Sequence, residues 1–246
     1  MIHYHGSPVS GPRDCAQRFY AARHVMVSYA HPEHLPLIAE VSQSFALDNG
    51  AFTTWTKGRE FDFDGFVSWV ELWRWHPGFD WCLAPDVIDG TEKENDELLW
   101  KFVYRFGMSP WIVPVWHLHE SLTRLGVLAG AFYRVALGSS GQYRTPGTPA
   151  WKARMSEAMS VVCNQGRPIC KLHGLRMLDG AIVERYPFSS ADSCNAAVNA
   201  GAVTRFGMYP SPLAADRANN IAARIESNNS PPVWVPAEET EERLFA

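Results

Sequence analysis

The stretch Tyr186–Asn195, YPFSSADSCN, begins with large apolar side chains and ends at a carboxylate, Asp192, set among small polar residues. An apolar run that stops at an acid is typical of a buried strand that delivers a charge to its open end. A second interpretation is that Asp192 or Ser193 caps the helix predicted by the following AAVNAGA, because short polar side chains are favoured at helix N-caps. The pattern recurs along the chain, and this favours the first interpretation.

Strand-like runs alternate with helical patterns from the first residues onward. The eight predicted strands are Ile2–His5, His24–Tyr29, Ser44–Leu47, Asp80–Leu83, Trp111–Val115, Phe132–Leu137, Pro168–Leu172 and Pro187–Ala191. A helix over Thr91–Phe106 opens with the capping box Thr91-x-x-Glu94. This alternation predicts an α/β fold, a single-domain (β/α)₈ TIM barrel over residues 1–227, followed by a C-terminal tail over 228–246. An open, doubly wound sheet is the alternative, although no GxGxxG follows the first strand.

In a barrel, the carboxyl ends of all the strands surround one cavity. The polar residues at these ends should therefore converge although the chain separates them widely. The set predicted in this way is Asp48, Asp86, His117, His119, Ser139, Lys171, His173 and Asp192. The barrel thus makes Asp192 a predicted site residue rather than a helix cap.

Several chemistries fit such a set of side chains. Two carboxylates around a pocket can act as nucleophile and as proton donor, as in the cleavage of glycosidic bonds. A metal-dependent hydrolase of a small molecule is the alternative, and it would use His3, His5, His117, His119 and Asp192. Gly138-Ser139-Ser140-Gly141 could cradle a phosphate or form a tight turn that needs glycine.

The composition sets limits on partners and compartment. The 246 residues carry a formal net charge of −4, which argues weakly against binding to nucleic acid by overall charge. The five cysteines include no CxxC pair, so no thiolate zinc site and no cofactor are predicted. The chain has neither a run of membrane-spanning length nor a signal-peptide pattern, and unpaired cysteines suit a reducing compartment. A cytoplasmic monomer is expected.

The ordered series of strand ends resembles a known family, the tRNA-guanine transglycosylases. Leu47-Asp48-Asn49-Gly50-Ala51-Phe52 resembles the family's Asp-Ser-Gly-Gly-Phe motif, and Ala84-Pro85-Asp86 falls where the family carries a second, base-reading Asp. Val135–Gly141 is similar to its glycine-rich strand end, and Phe188 through Asp192-Ser193 is similar to the segment with its nucleophile. The resemblance covers about Ile2–Gly201 and is closest to the DNA-acting branch found in phages and bacterial genomic islands.

The resemblance implies a role for each matching residue. Asp192 would attack C1′ of the nucleotide, Asp48 would act as general acid and base, Asp86 would hydrogen-bond the base edge, and Gly138 would offer backbone groups to it. The residues expected to bind the substrate are Asn49, Phe52, Asp86, His117, His119, Gly138, Ser139, Ser140, Lys171 and His173.

Two departures from the family bear on the substrate. The family's cysteine-rich zinc subdomain is missing, since residues 195–246 contain no cysteine, and this makes a tRNA substrate doubtful. His117 and His119 stand about where the family reads guanine with a glutamine, and an imidazole cannot reproduce an amide's paired donor and acceptor. The resemblance therefore implies a DNA glycosylase or a base-exchanging DNA transglycosylase that acts on a flipped-out, modified base in phage defence or DNA modification. Excision and exchange are left open.

Overall fold

A computed structural model describes residues 1–202 and 211–236 of the chain. Its strands are β1 Ile2–Gly6, β2 His24–Ser28, β3 Ser44–Asp48, β4 Phe79–Leu83, β5 Ile112–Val113, β6 Val115–His117, β7 Arg134–Gly138, β8 Cys163–Asn164, β9 Arg167–Pro168, β10 Lys171–Gly174 and β11 Ser190–Ser193. Its helices are α1 Arg13–Tyr20, α2 Leu35–Val41, α3 Ala51–Thr56, α4 Phe63–Trp73, α5 Glu92–Phe106, α6 Leu122–Ala131, α7 Pro149–Val162, α8 Gly180–Val183, α9 Asn195–Asn199 and α10 Ala214–Glu226, with a 3₁₀ turn at Gly141–Tyr143.

Nine of the strands form one parallel sheet in the order β5-β4-β3-β2-β1-β11-β10-β7-β6. The two edge strands are halves of one extended segment that Pro114 interrupts. The ladder continues past this proline, because its carbonyl accepts a hydrogen bond of 2.9 Å from the Ala136 N–H. The sheet therefore closes as a nearly complete barrel with eight strand positions, which confirms the predicted TIM-barrel fold.

Side chains alternate between the inside of the barrel and the layer under the helices, as the two-residue period of a strand requires. The interior cluster consists of buried residues from successive strands: Tyr4, Met26, Ala46, Trp81, Leu83, Val113, Val115 and Ala136. Its lower part is polar, and the Tyr4 hydroxyl donates to Asp80 while it accepts from the Trp81 indole N–H at 2.9 Å. The helices cover the outside with a larger apolar cluster, in which Phe66 and Val70 of α4 are fully buried.

Local signals place most elements within a few residues of their predicted bounds. The capping box of α5 forms, because the Glu94 carboxylate accepts from the Thr91 N–H at 2.8 Å and the Thr91 hydroxyl accepts from the Glu94 N–H at 3.3 Å. The last two barrel strands, β10 and β11, each begin three residues later than predicted. Pro168 pairs instead in the antiparallel β8–β9 hairpin, and Pro187 lies before the first residue of β11.

The described part of the C-terminal tail runs back across the barrel. The Trp234 N–H donates to the Gly166 carbonyl in the turn between β8 and β9, at 2.8 Å. The acidic cluster Glu238–Glu242 lies outside the described residues. Among the residues described, no helix is both long enough and apolar enough to cross a membrane.

Candidate functional site at the carboxyl end of the barrel

Asp48 is the last residue of β3 and lies in register with Ser28 of β2. Its half-buried carboxylate accepts hydrogen bonds from the Ser28 hydroxyl and from the Gly50 backbone, both of which favour the charged form. Burial opposes them, and the negative charges of Asp192 and Asp86 add to it, so that the pKa of Asp48 is raised to about 7. Asp48 can therefore both donate and accept a proton near neutral pH.

Asp192 lies on β11 opposite Tyr4 of β1 and is only 5% exposed. Its Oδ1 accepts from the Arg176 backbone N–H at 2.7 Å and lies 3.3 Å from His173 Nε2. Its Oδ2 makes no hydrogen bond within the described part of the chain and stays available as an attacking atom. Of the two residues in the helix-cap interpretation, Ser193 and not Asp192 contacts the start of α9, because the Asn195 N–H bonds to Ser193 Oγ at 3.0 Å.

His173 supports Asp192 from inside the barrel. Its ring is fully buried, with Nδ1 2.8 Å from Ser190 Oγ and the ring centroid 4.7 Å from that of Trp81. Burial lowers the pKa of His173 against the opposing effect of Asp192, so the neutral imidazole dominates at pH 7. The partners then assign the proton to Nε2, which donates to Asp192, while Nδ1 accepts from the Ser190 hydroxyl.

Asp86, which follows β4, joins the ends of two neighbouring strands. Its Oδ2 lies 2.7 Å from His117 Nε2, and its Oδ1 accepts from Asn49 Nδ2 at 2.6 Å. The same Asn49 amide donates to the Ala84 carbonyl at 2.7 Å and accepts from the Ala51 N–H at 2.8 Å. Asn49 is 1% exposed, so it holds Asp86 in place and does not itself face a substrate.

A buried network that the sequence did not reveal supports His117. Glu120, 2% exposed, accepts from the His117 N–H at 2.8 Å, from Asn95 Nδ2 at 2.8 Å and from Arg124 at 2.7 Å. Arg124 also pairs with Asp96 at 2.8 Å. Glu120 and Arg124 are four residues apart, a spacing common on helix surfaces, and only their burial marks them as a support for the site.

The glycine-rich end of β7 packs on the two histidines. His119 Nδ1 lies 2.7 Å from Ser140 Oγ, and its Nε2 lies 3.0 Å from the Gly90 carbonyl. The imidazole of His117 stacks on that of His119 with 5.8 Å between centroids. Ser139 Oγ accepts from the Trp151 indole N–H at 2.9 Å. Both serine hydroxyls are thus engaged by protein partners.

Phe52 and Arg176 meet above the carboxylates. The Phe52 side chain is 43% exposed, and the Arg176 guanidinium carbon lies 4.0 Å from its ring centroid. Arg176 has a φ of 57°, which turns its N–H toward Asp192. The sequence shows Arg176 only as one of several scattered cations, because no local signal marks a left-handed arginine.

The structure does not bring every predicted residue to this cluster. Lys171 begins β10 at the opposite, amino end of the barrel, where its ammonium lies 4.9 Å from the Tyr133 ring centroid. His3 and His5 face the C-terminal segment outside the barrel, with His3 Nε2 2.7 Å from the Asn228 carbonyl and His5 Nε2 2.8 Å from Glu226 Oε1. The metal-ligand set of the alternative hydrolase is therefore split between the two sides of the barrel wall.

Within residues 1–202 and 211–236, no group of three or more His, Cys, Asp or Glu side chains is arranged to hold a metal ion. The residues that do converge at the carboxyl end are Asp48, Asn49, Phe52, Asp86, His117, His119, Gly138, Ser139, Ser140, His173 and Asp192, joined by Arg176. Comparison of the chain with models of protein families, with curated proteins and with solved structures finds no match in any of the three.

Proposed function

We propose that this protein cleaves the N-glycosidic bond of a flipped-out nucleobase in DNA. The observation that carries the proposal is the pairing of Asp48, whose pKa is raised to about 7, with the negative charge of Asp192. A carboxyl group that can hold a proton near neutral pH, placed beside a second carboxylate, suits a reaction that needs one acid and one nucleophile. The resemblance of the strand ends to base-exchanging transglycosylases supports the same assignment.

In the proposed reaction, Asp192 Oδ2 forms a bond to C1′ while the bond from C1′ to the base nitrogen breaks. The bonding electrons go to the base, which takes a proton from Asp48 as it leaves. In this proposal Asp86 hydrogen-bonds the base edge, and His117, which is 2% exposed, holds Asp86 in place through a 2.7 Å contact. This contact pre-organises the carboxylate that reads the base.

The glycosyl ester on Asp192 can then be resolved in two ways. Water deprotonated by Asp48 attacks C1′ and leaves an abasic site, which is excision. Alternatively, a second heterocycle gives its N–H proton to Asp48 and attacks C1′, which is exchange. Both routes return the proton to Asp48 and free Asp192, so the same residues serve either outcome.

The test is incubation of the protein with duplex and single-stranded DNA that carries plain or modified bases, followed by mass spectrometry of released bases. Alkali-labile sites report excision, and incorporation of a labelled free base reports exchange. Asp192→Asn is expected to lower base release by about 10³-fold or more, as for loss of a nucleophile. Asp14→Asn, an exposed carboxylate on α1, is the matched control and should act like the wild type.

Asparagine keeps the size of the side chain and the acceptor for the Arg176 N–H, so Asp192→Asn should fold. Unchanged base release by this folded variant would show that Asp192 is not the nucleophile. Absence of release from every DNA tested, and from RNA of the same sequences, would contradict the proposed function as a whole.

A further inference from the structure

An open cleft lies beside the candidate site, on the rim formed by α3 and the segment that leads into α4. It encloses about 140 Å³ and is lined by Tyr29, Thr53, Lys57, Arg59 and neighbouring residues; we call it the α3 cleft. The Tyr29 N–H donates to the Asp48 carbonyl at 2.8 Å, so the wall of the cleft is bonded directly to a site residue.

The lining of the α3 cleft holds two cations, Lys57 and Arg59, and two acids, Glu60 and Asp62, so its formal charge is zero. Lys57 and Arg59 are exposed, and neither forms an ion pair within residues 1–202 and 211–236. Of the two acids that line the cleft, Asp62 accepts from the Tyr29 hydroxyl at 3.1 Å and from the Gly65 N–H at 2.9 Å, and Glu60 is exposed. Lys57 and Arg59 are therefore exposed cations without a direct ion-pair partner among the described residues, and each can contact a phosphate of a bound strand.

An exposed aromatic side chain stands on the same helix. Trp55 is 46% exposed, and its ring centroid lies 5.9 Å from that of Phe52. Phe52 is covered on one side by Arg176, whereas no cation is found over the Trp55 ring among the described residues. Exposed aromatic rings interleaved with cations are the combination by which proteins hold single-stranded nucleic acid, since bases stack on the rings and phosphates contact the cations.

We propose that the α3 cleft binds the DNA strand beside the target nucleotide, with a neighbouring base stacked on Trp55 and the backbone phosphates held by Lys57 and Arg59. This inference rests on the proposed function, because it places the strand that carries the flipped base. Extrusion of one nucleotide unstacks its neighbours, and a stacking ring on the rim compensates part of that cost.

The charge part is tested by fluorescence anisotropy of a short labelled DNA single strand, titrated at several salt concentrations. Each phosphate contact on a single strand contributes about 0.7 to the slope of log K against log salt. The double variant Lys57→Ala/Arg59→Ala is expected to reduce that slope by about 1.4. Arg105→Ala/Arg167→Ala removes two exposed cations at the amino end of the barrel and should leave the slope unchanged.

The proposed stacking of a base on Trp55 is tested by a single substitution. Trp55→Ala is expected to weaken binding of the same strand by about 5- to 150-fold, the range found when a stacking side chain is truncated. Trp75→Ala removes an indole that is 71% exposed beyond the end of α4, and its binding should stay within about twofold of the wild type. Both tryptophans are on the surface, so the variants should fold, and circular dichroism checks this.

The inference is overturned if the wild type does not bind the strand, if the cleft variants bind like their controls, or if RNA of the same sequence binds more tightly than DNA. The binding assay needs no turnover, so its result is independent of base release. Base release with unchanged binding by the cleft variants refutes the cleft alone. Cleft-dependent binding without base release from any DNA refutes the proposed function and leaves the cleft as a DNA-binding surface.

Discussion

At the scale of single residues, the two central aspartates differ only in what surrounds them. Asp192 Oδ1 accepts from the Arg176 N–H at 2.7 Å and lies 3.3 Å from His173 Nε2. Burial, together with the negative charges of Asp192 and Asp86, favours the protonated form of Asp48. The proposed division of roles between acid and nucleophile follows from the different surroundings of the two residues in the barrel.

The raised pKa of Asp48 gives the proposed reaction a characteristic pH dependence. The protonated acid disappears as the pH rises through about 7, so base release should fall about tenfold per pH unit above that value. Asp48→Asn should release base slowly at every pH and should not show this fall in rate above pH 7. The check is the pH–rate profile of both proteins between pH 5 and pH 9, and a flat wild-type profile over that range would rule out Asp48 as the proton donor.

The same shift affects stability. The unfolded-state pKa of an aspartate is about 3.9, so between about pH 4 and pH 7 the folded protein holds a proton that the unfolded chain lacks. The free energy of unfolding therefore falls as the pH rises through this range, and the loss is complete above about pH 7. Asp48→Asn should be more stable than the wild type at pH 8, on the order of 1–3 kcal/mol, and about equal at pH 4. Urea unfolding at pH 4 and pH 8 measures the difference in free energy of unfolding between variant and wild type. The same difference at both pH values would contradict the prediction.

At the scale of elements, neighbouring strand ends shape the site by close packing. β6 ends at His117 and β7 ends at Gly138, and these two residues are paired in register. A Cβ added to Gly138 would lie 3.0 Å from His117 Nδ1 and 3.3 Å from its Cε1. Gly138 is thus required by the imidazole beside it, which gives a physical reason for glycine at this strand end.

Gly138→Ala should displace the His117 ring and disturb its contact with Asp86. Weaker substrate binding is expected, together with a loss of stability of about 1–3 kcal/mol from overpacking. Gly130→Ala is the matched control, because a Cβ at this position in α6 meets nothing within 4 Å. It should stabilise the protein by about 0.5–1 kcal/mol through its helix propensity. Thermal unfolding measures the stability of the two variants, and titration with DNA measures their substrate binding. Equal stability and equal binding of the two variants would disprove the packing argument.

At the scale of the whole molecule, α10 contacts β1 and the residue before β2 from outside the barrel. Glu226 of α10 lies 2.8 Å from His5 Nε2 of β1 and 3.0 Å from Arg23 Nε, just before β2. Arg23 also donates to Asn219 Oδ1 of α10 at 2.7 Å. These contacts join residues 196 to 221 positions apart and place His5 in a structural role, away from the cavity.

The His5 ring and then the Arg23 guanidinium lower the pKa of Glu226 to about 2. A depressed carboxyl pKa contributes stability that is present above its unfolded value, about 4.3, and is lost as the pH falls toward 2. Glu226→Gln should therefore lower the free energy of unfolding at pH 7, by about 1 kcal/mol after allowance for solvent screening of a partly exposed pair. The difference from the wild type should vanish near pH 2, and base release should be unaffected. A stability difference that persists unchanged at low pH would contradict the ion-pair origin.

The fold class and the end of the barrel on which polar residues gather follow from the amino-acid sequence alone. Alternating strand and helix patterns over this length leave few architectures, and in a barrel the chain direction alone sends Asp48, Asp86, His117 and Asp192 to one end. Local signals such as the capping box of α5 are also readable, since they depend on neighbours within four residues.

Only the tertiary structure decided which of these side chains meet. Lys171 and His173 share a strand and a face, but at about 3.3 Å per residue Lys171 lies at the far end of the barrel. His3 and His5 occupy the outer face of β1, which a sequence without its register does not reveal. Arg176 reaches Asp192 through a left-handed backbone that surrounding contacts impose. Pairing across the sheet and backbone angles in loops depend on residues far away in the chain, and for that physical reason the tertiary fold had to supply them.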